Sequence, residues 1–88
     1  MDHATDAGLL NRLKRANGHL VTIIRMIEEN RNGLEVAQQM QAVVSALERA
    51  KTALVIDHIE HHLEDAVGPL TKDMREKLTS LTKLAKYL

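Results

Sequence analysis

Apolar residues recur at steps of three and four along most of the chain, the spacing of one face of a helix. The first such series, between about residues 5 and 29, comprises Leu9, Leu10, Leu13, Ala16, Leu20, Ile23, Ile24 and Ile27. It predicts an amphipathic helix, which Gly18 interrupts. A glycine inside so strong a pattern predicts a close crossing with another helix. The first clear turn is the segment Asn30-Arg31-Asn32-Gly33.

A second helix is predicted from about residue 34 to 65. Asn32 is placed to cap it, with Glu35 at the third helical position, as in a capping box. A helix of that length measures roughly 48 Å and would overhang a monomer of this size. Its middle is apolar on more than one side, at Val43, Val44, Leu47, Ala50, Leu54, Val55, Ile56 and Ile59. A helix apolar over most of its circumference is buried by partners, so we expect a dimer or a larger assembly.

The second helix is predicted to end at Gly68-Pro69, and Thr71 is placed to cap a third helix. That helix carries apolar residues at Met74, Leu78, Leu81 and Leu84. The fold class is therefore all-α, with three helices in one domain over residues 1–88. A chain of 88 residues without Cys, Trp or Phe has few ways to remain folded alone, which again favours self-association.

Several function classes find no support in the sequence. No run of 18 apolar residues and no signal-peptide pattern is present, so we expect a cytoplasmic protein without a membrane role. No glycine-rich phosphate loop or nucleophile–base pair is found. The run from His58 to His61 has the wrong spacing for the His-Glu-x-x-His zinc protease motif. The sequence therefore predicts a protein that is not an enzyme.

Histidines and carboxylates crowd one stretch near the end of the second predicted helix. Three of the five histidines lie there, and His58 and His62 are four residues apart on one helical face. Two imidazoles so placed can hold one divalent ion, and His61 is the next candidate ligand. Four carboxylates accompany them: Asp57, Glu60, Glu64 and Asp65. The alternative is an acidic, solvated helical turn that happens to carry histidines.

Basic residues form two short clusters, although the formal net charge is zero. The clusters are Arg12, Lys14 and Arg15 on the first helix, and Arg49 and Lys51 on the second. Segregated charge permits a local anion-binding face, whereas the simpler interpretation is a solvated surface. Two further histidines remain. His3 is either a ligand that closes a metal site or an incidental surface residue, and His19 favours a hydrogen-bonded packing role.

Four segments together resemble a known family. They are Arg12-Leu-Lys-Arg-Ala-Asn-Gly-His19, then Met26-Ile-Glu28, then Ala37-Gln-Gln-Met-Gln-Ala-Val43, and finally the pair His58 and His62. In order and spacing, they resemble the metal-sensing repressors that include the copper sensor CsoR, the nickel/cobalt sensor RcnR and the formaldehyde sensor FrmR. The likeness is greatest to the nickel-resistance NreA-type subgroup.

The resemblance implies an all-helical protomer whose long helix builds an antiparallel dimer, forming a four-helix bundle, and a dimer of such dimers. It implies repression of an efflux or detoxification operon through double-stranded operator DNA, without a helix-turn-helix. The family's DNA face corresponds to Arg12, Arg15 and Arg49 here, with Lys14 and Lys51 as neighbours.

The same resemblance exposes one departure, at the metal site. The family's ligands are a Cys opening the second helix, a His late in it, and a Cys or His four residues later. This chain has Gly33, His58 and His62 at those positions. Loss of the thiolate disfavours Cu(I) and leaves nitrogen donors, so we expect a divalent effector, nickel or cobalt favoured, with zinc or copper(II) possible. His3, Glu35 or water would complete the shell. The alternatives are a degenerate metal site with another inducer, or a helical oligomerisation module.

Overall fold

The computed structural model describes residues 7–87. That part of the chain is all-helical and contains three α-helices: α1 (Ala7–Glu28), α2 (Gly33–Val67) and α3 (Lys72–Leu84), the last followed by a short 3₁₀ helix, Ala85–Tyr87. The predicted all-α class, the number of helices and the long second helix are confirmed. The predicted start of the first helix near residue 5 lies outside the described residues.

The end of α1 is set by Asn30, which has a positive φ of 57°. Its backbone N–H donates to the Ile27 carbonyl at 3.1 Å, and the Arg31 N–H donates to the Met26 carbonyl at 2.9 Å. This pair of bonds is a Schellman motif, which satisfies carbonyls that the last helical turn leaves without a partner. Asparagine tolerates the left-handed conformation better than most residues, so the turn predicted here has a local cause.

The start of α2 is capped by Asn32, as predicted. Its Oδ1 accepts the backbone N–H groups of Leu34 at 2.8 Å and Glu35 at 3.4 Å. The helix begins at Gly33, one residue earlier than predicted. The Glu35 carboxylate accepts a hydrogen bond from the guanidinium of Arg31, which ties the turn to the first turn of α2.

The turn between α2 and α3 also follows the sequence. Gly68 has a φ of +86° and donates its N–H to the Glu64 carbonyl at 2.8 Å, which ends α2 after Val67, two residues later than predicted. A side chain at this φ would be strained, which accounts for glycine. Thr71 Oγ1 then accepts the N–H of Met74 at 3.1 Å and caps α3.

The chain divides into two compact units, Met1–Lys51 and Thr52–Leu88. In the first, four buried side chains of α1 and α2 form an apolar cluster: Ile23, Met26, Val36 and Val43. Ala16 and Ala50 are buried in the same unit. In the second, Leu70 is buried, and Arg75 of α3 donates to the Glu64 carboxylate of α2 at 3.1 Å. The single domain over residues 1–88 stays a prediction.

The close helix crossing predicted at Gly18 is wrong. The residue is exposed, and a Cβ atom built on it would meet nothing within 4 Å in the described part of the chain. A glycine can therefore interrupt an amphipathic helix without any neighbour that requires it. The same helix exposes large apolar side chains, including Ile24 (50%) and Ile27 (57%). Among the described helices, none is long and apolar enough to cross a membrane.

Candidate metal site and arginine cavity

The structure brings His58 and His62 together on α2. Their Nε2 atoms lie 3.0 Å apart, and the ring centroids are 4.4 Å apart with the planes inclined at 78°. Both side chains are exposed. In this arrangement one ring nitrogen donates its proton and the other accepts it, because two N–H groups would repel at this distance. The two nitrogens thus face a common point that is open to solvent.

The ring of His61 takes a different direction. Its Nδ1 lies 2.8 Å from the backbone carbonyl oxygen of Asp57 and 3.5 Å from that residue's Oδ1. The carbonyl can only accept, so Nδ1 carries the proton and Nε2 is the nitrogen left with a lone pair. His61 shares the helical turn of the pair without joining it, and its predicted role as a ligand stays a prediction. The candidate ligand His3 lies outside the described residues.

The donors present fit some metals better than others. Metal–imidazole bonds measure about 2.0–2.1 Å, so two nitrogens 3.0 Å apart can both reach one ion. Imidazole suits Ni(II), Co(II), Zn(II) and Cu(II), whereas Cu(I) prefers sulfur, and the chain has no cysteine. Within the residues that the structure describes, no group of three or more His, Asp or Glu side chains could surround an ion. The described pair therefore supplies two ligands of a larger shell.

A second site lies within the first unit, where α1 and α2 enclose an open cavity of about 420 Å³. It is lined by Arg12, Arg15, Ala16, His19, Ala46 and Arg49. Three guanidinium groups and an imidazole meet over two alanines, and no carboxylate is among these lining residues. Such a concentration of positive charge and N–H donors is suited to phosphate, because guanidinium geometry matches phosphate oxygens.

The five predicted DNA-binding residues do not all lie at this cavity. Arg12, Arg15 and Arg49 line it, whereas Lys14 and Lys51 are exposed and are absent from its lining. The ammonium of Lys51 lies 3.3 Å from the Glu48 carboxylate, which offsets part of its charge. The structure therefore separates the three arginines from the two lysines.

His19 is the lining residue that the sequence interpretation did not assign to the cavity. Its Nε2 lies 2.6 Å from the Gln39 Oε1 atom, a half-buried contact between α1 and α2 that confirms the hydrogen-bonded role predicted for it. Its place beside Arg12 and Arg15 had a signal in the sequence. Positions 12, 15 and 19 follow the i, i+3, i+7 spacing of one helical face.

The chain is similar to a family of known function. The sequence profile described as "Metal-sensitive transcriptional repressor" matches residues 5–87. The copper-sensing transcriptional repressor CsoR of Mycobacterium ulcerans is 47% identical over 58 residues, covering 66% of this chain and 50% of the relative. The copper-sensing repressor RicR of Mycobacterium tuberculosis is 39% identical over 57 residues, covering 65% and 59%. CsoR of Bacillus subtilis is 34% identical over 59 residues, covering 67% and 58%.

The matched segment of this chain thus spans about half the length of the first of these relatives. No solved structure matches the chain. The family profile nevertheless covers nearly the whole sequence, and it describes repressors rather than enzymes, as the sequence predicted. The chain belongs to the metal-sensitive transcriptional repressor family.

Proposed function

We propose that this chain is a metal-responsive transcriptional repressor that binds operator DNA and is released from it by a divalent ion, nickel or cobalt favoured. The observation that carries the metal response is the pair of Nε2 atoms of His58 and His62, 3.0 Å apart on an exposed helix face. Membership of the repressor family supports the regulatory role. The arginine cavity supports the binding of a nucleic acid.

The nature of the ion follows from the ligand chemistry of this chain. The relatives named above are copper-sensing. This chain has no thiolate to favour the cuprous ion, and Gly33 stands where the resemblance places the first family cysteine. A borderline divalent ion suits imidazole, so nickel and cobalt are favoured, with zinc and copper(II) as further candidates. The resemblance to the NreA-type subgroup points the same way.

His58 and His62 would hold the ion, and His61, His3, Glu35 or water would supply the remaining positions. An ion bound there adds fixed positive charge and ties its ligands into one arrangement. The helix α2 contributes both histidines and also Arg49 of the cavity. One continuous helix therefore carries residues of the proposed effector site and of the proposed DNA site, which gives a physical route for release.

The DNA would be held chiefly through its phosphates. Arg12, Arg15 and Arg49 form the centre of the proposed face, with Lys14 and Lys51 at its margin. Contacts of this kind position a protein on the duplex and make its affinity strongly dependent on salt. Because the chain has no net charge, the local concentration of arginine must provide this attraction.

Self-association is part of the proposal. Large apolar side chains remain exposed on α1 and α2, among them Ile24, Ile27, Leu34, Met40, Val44 and Leu47. Exposed apolar surface of this extent marks an interaction site in a protein of this size. We expect second copies of the chain to cover it, in a dimer or in a tetramer built from two dimers.

A titration with DNA and metal tests this function. A labelled duplex from the promoter of the chain's own gene is titrated with protein in chelator, and then with Ni(II), Co(II), Zn(II) or Cu(I) added. We expect specific binding without metal, and a weakening of about five- to 150-fold when Ni(II) or Co(II) is present. A random duplex of the same length measures the nonspecific part. Loss of specific binding in every condition would contradict the proposal and favour a helical oligomerisation module.

A second candidate is a DNA-binding repressor with another inducer. The observation that favours it is that the described part of the chain brings only His58 and His62 together, with no third ligand beside them. This candidate predicts specific DNA binding that none of the four ions changes. The same titration therefore separates the two.

A further inference from the structure

His19 is the one titratable lining residue of the arginine cavity whose charge changes near neutral pH. We propose that His19 completes a phosphate-binding site in this cavity and that its ligand is a phosphate group of the DNA backbone. The inference rests on the proposed function, since it assigns the cavity to DNA. It adds a residue that lies outside the two basic clusters, and with it a dependence of DNA affinity on pH.

The shape of the cavity fits a compact anion. Its volume of about 420 Å³ is many times the ~30 Å³ that one water occupies in the liquid. Ala16 and Ala46 occupy the positions between the charged groups and place no long side chain there. Arg12 and Arg15 approach from α1 and Arg49 from α2, so donors on two helices converge on one space.

The contact with Gln39 determines what the imidazole can offer. The Gln39 Oε1 atom accepts, so His19 Nε2 carries the proton at this 2.6 Å contact. Nδ1 is then the other ring nitrogen. In neutral His19, Nδ1 holds a lone pair, which cannot donate to a phosphate oxygen. In protonated His19, Nδ1 carries a proton and the ring a positive charge, and both favour phosphate.

The charged groups facing His19 support this behaviour. They are Arg12 and Arg15 on its own helix and Arg49 on α2, and none of the cavity's lining residues is acidic. In the free protein these guanidinium groups therefore oppose a further positive charge. A phosphate supplies the compensating negative charge, so DNA binding takes up a proton at His19. By linkage, affinity for DNA then rises as the pH falls through the range where imidazole titrates.

The test measures the affinity of the full chain for the promoter duplex by fluorescence anisotropy, in chelator and at constant ionic strength, between about pH 8 and about pH 6. For the wild type we expect the affinity to rise about three- to tenfold over this interval, the effect of a half to one proton-binding decade. His19→Gln should lose most of this rise. His19→Arg, permanently charged, should bind tightly at both ends with little change.

Two further variants guard against other causes. Gln39→Ala removes the acceptor that orients the imidazole and should reduce the rise, whereas Gln41→Ala, two residues along the same helix, should behave as wild type. The other histidines are unchanged in all variants, so the difference from wild type isolates His19. Circular dichroism verifies that each variant is folded, and if His19→Gln does not fold, His19→Arg and Gln39→Ala still decide.

The outcomes are distinct. An equal rise in wild type, His19→Gln and His19→Arg would overturn the role of His19 while leaving DNA binding intact. Absence of duplex binding at every pH would overturn both this inference and the proposed function. Inorganic phosphate is added in a separate arm at matched ionic strength. If it displaces DNA from wild type and not from His19→Gln, the free oxyanion occupies the same site, which supports the site itself.

Discussion

The Nε2 atoms of His58 and His62 face each other at 3.0 Å across one turn of α2. This distance follows from helical geometry, since side chains four residues apart lie above one another on one face. It leaves the pair prepared for a common ligand, because neither helix nor ring has to move far to place both nitrogens on one ion. The neighbouring His61 is held by Asp57 instead, which makes the pair and its neighbour separable by experiment.

Removing either histidine of the pair should abolish the cobalt site. We expect His58→Ala and His62→Ala each to weaken Co(II) binding by at least about 10- to 100-fold, since outer-shell changes alone have that effect. The measurement is a titration that follows the d–d absorption of bound cobalt. His61→Gln should keep the spectrum, and His19→Gln, a histidine change in the other unit, serves as control. Binding that survives both alanine substitutions would contradict the site.

A cysteine at Gly33 should shift the metal preference towards Cu(I). The backbone at Gly33 is helical, and a Cβ atom built there meets nothing within 4 Å, so the change is sterically free. We expect the wild type to bind Cu(I) weakly and Gly33→Cys to bind it more tightly, because thiolate is the softer donor. Competition with a Cu(I) chelator measures this. Gly33→Ser offers a similar volume without sulfur, and an equal gain for both variants would refute the explanation.

Loss of a cavity arginine should change both the affinity for DNA and its dependence on salt. For Arg12→Ala, Arg15→Ala and Arg49→Ala we expect the slope of log K against log salt to fall by about 0.9 for each phosphate contact removed. Arg25→Ala, also on α1 and absent from the cavity lining, is the matched control. Equal slopes in the control and the three variants would exclude this DNA face.

The exposed apolar side chains should behave as buried ones in solution. Ile24 and Val44 are each 50% exposed in the single chain. If solvent covers them, glutamine in their place should change the free energy of unfolding by less than about 0.5 kcal/mol. If a second copy covers them, we expect a loss of roughly 1 kcal/mol and weaker association. Sedimentation equilibrium combined with denaturant unfolding measures both, and a well-folded wild-type monomer at micromolar concentration would contradict the assembly.

The cap of α3 should contribute measurably to stability. Thr71 Oγ1 accepts the N–H of Met74, one of the donors that the first helical turn cannot satisfy. We expect Thr71→Ala to lower the free energy of unfolding by about 0.5–2 kcal/mol, measured with urea, and Thr71→Ser to retain most of it. If serine and alanine have the same effect, the hydroxyl is not what matters at this position.

The helix ends were predictable from the sequence because local chemistry determines them. Asn32 and Thr71 cap because their side chains reach nearby N–H groups, and Gly68 ends a helix because it accepts a positive φ. Gly18 shows the limit of such inference. A glycine signals a close approach only if a neighbour is there, and the presence of that neighbour depends on tertiary packing.

The candidate sites divide in the same way. The pairing of His58 with His62 follows from four-residue spacing, but spacing could not exclude His61, which shares the face at i+3. The hydrogen bond to Asp57 distinguishes it, and rotamers are not written in the spacing. The cavity required knowledge of how α1 lies against α2 within the first unit, which brings Arg49 to Arg12 and His19 to Gln39.

The connection between α1 and α2 is only four residues long, from Glu29 to Asn32. Both of its ends are stabilised locally, by the Schellman motif at Asn30 and by the cap at Asn32. Contacts across it therefore close short loops, as between His19 and Gln39, and topologies rich in such contacts fold fast. We expect this helical hairpin to form early on the ribosome, so that Ile23 and Val36 are shielded before the rest of the chain emerges.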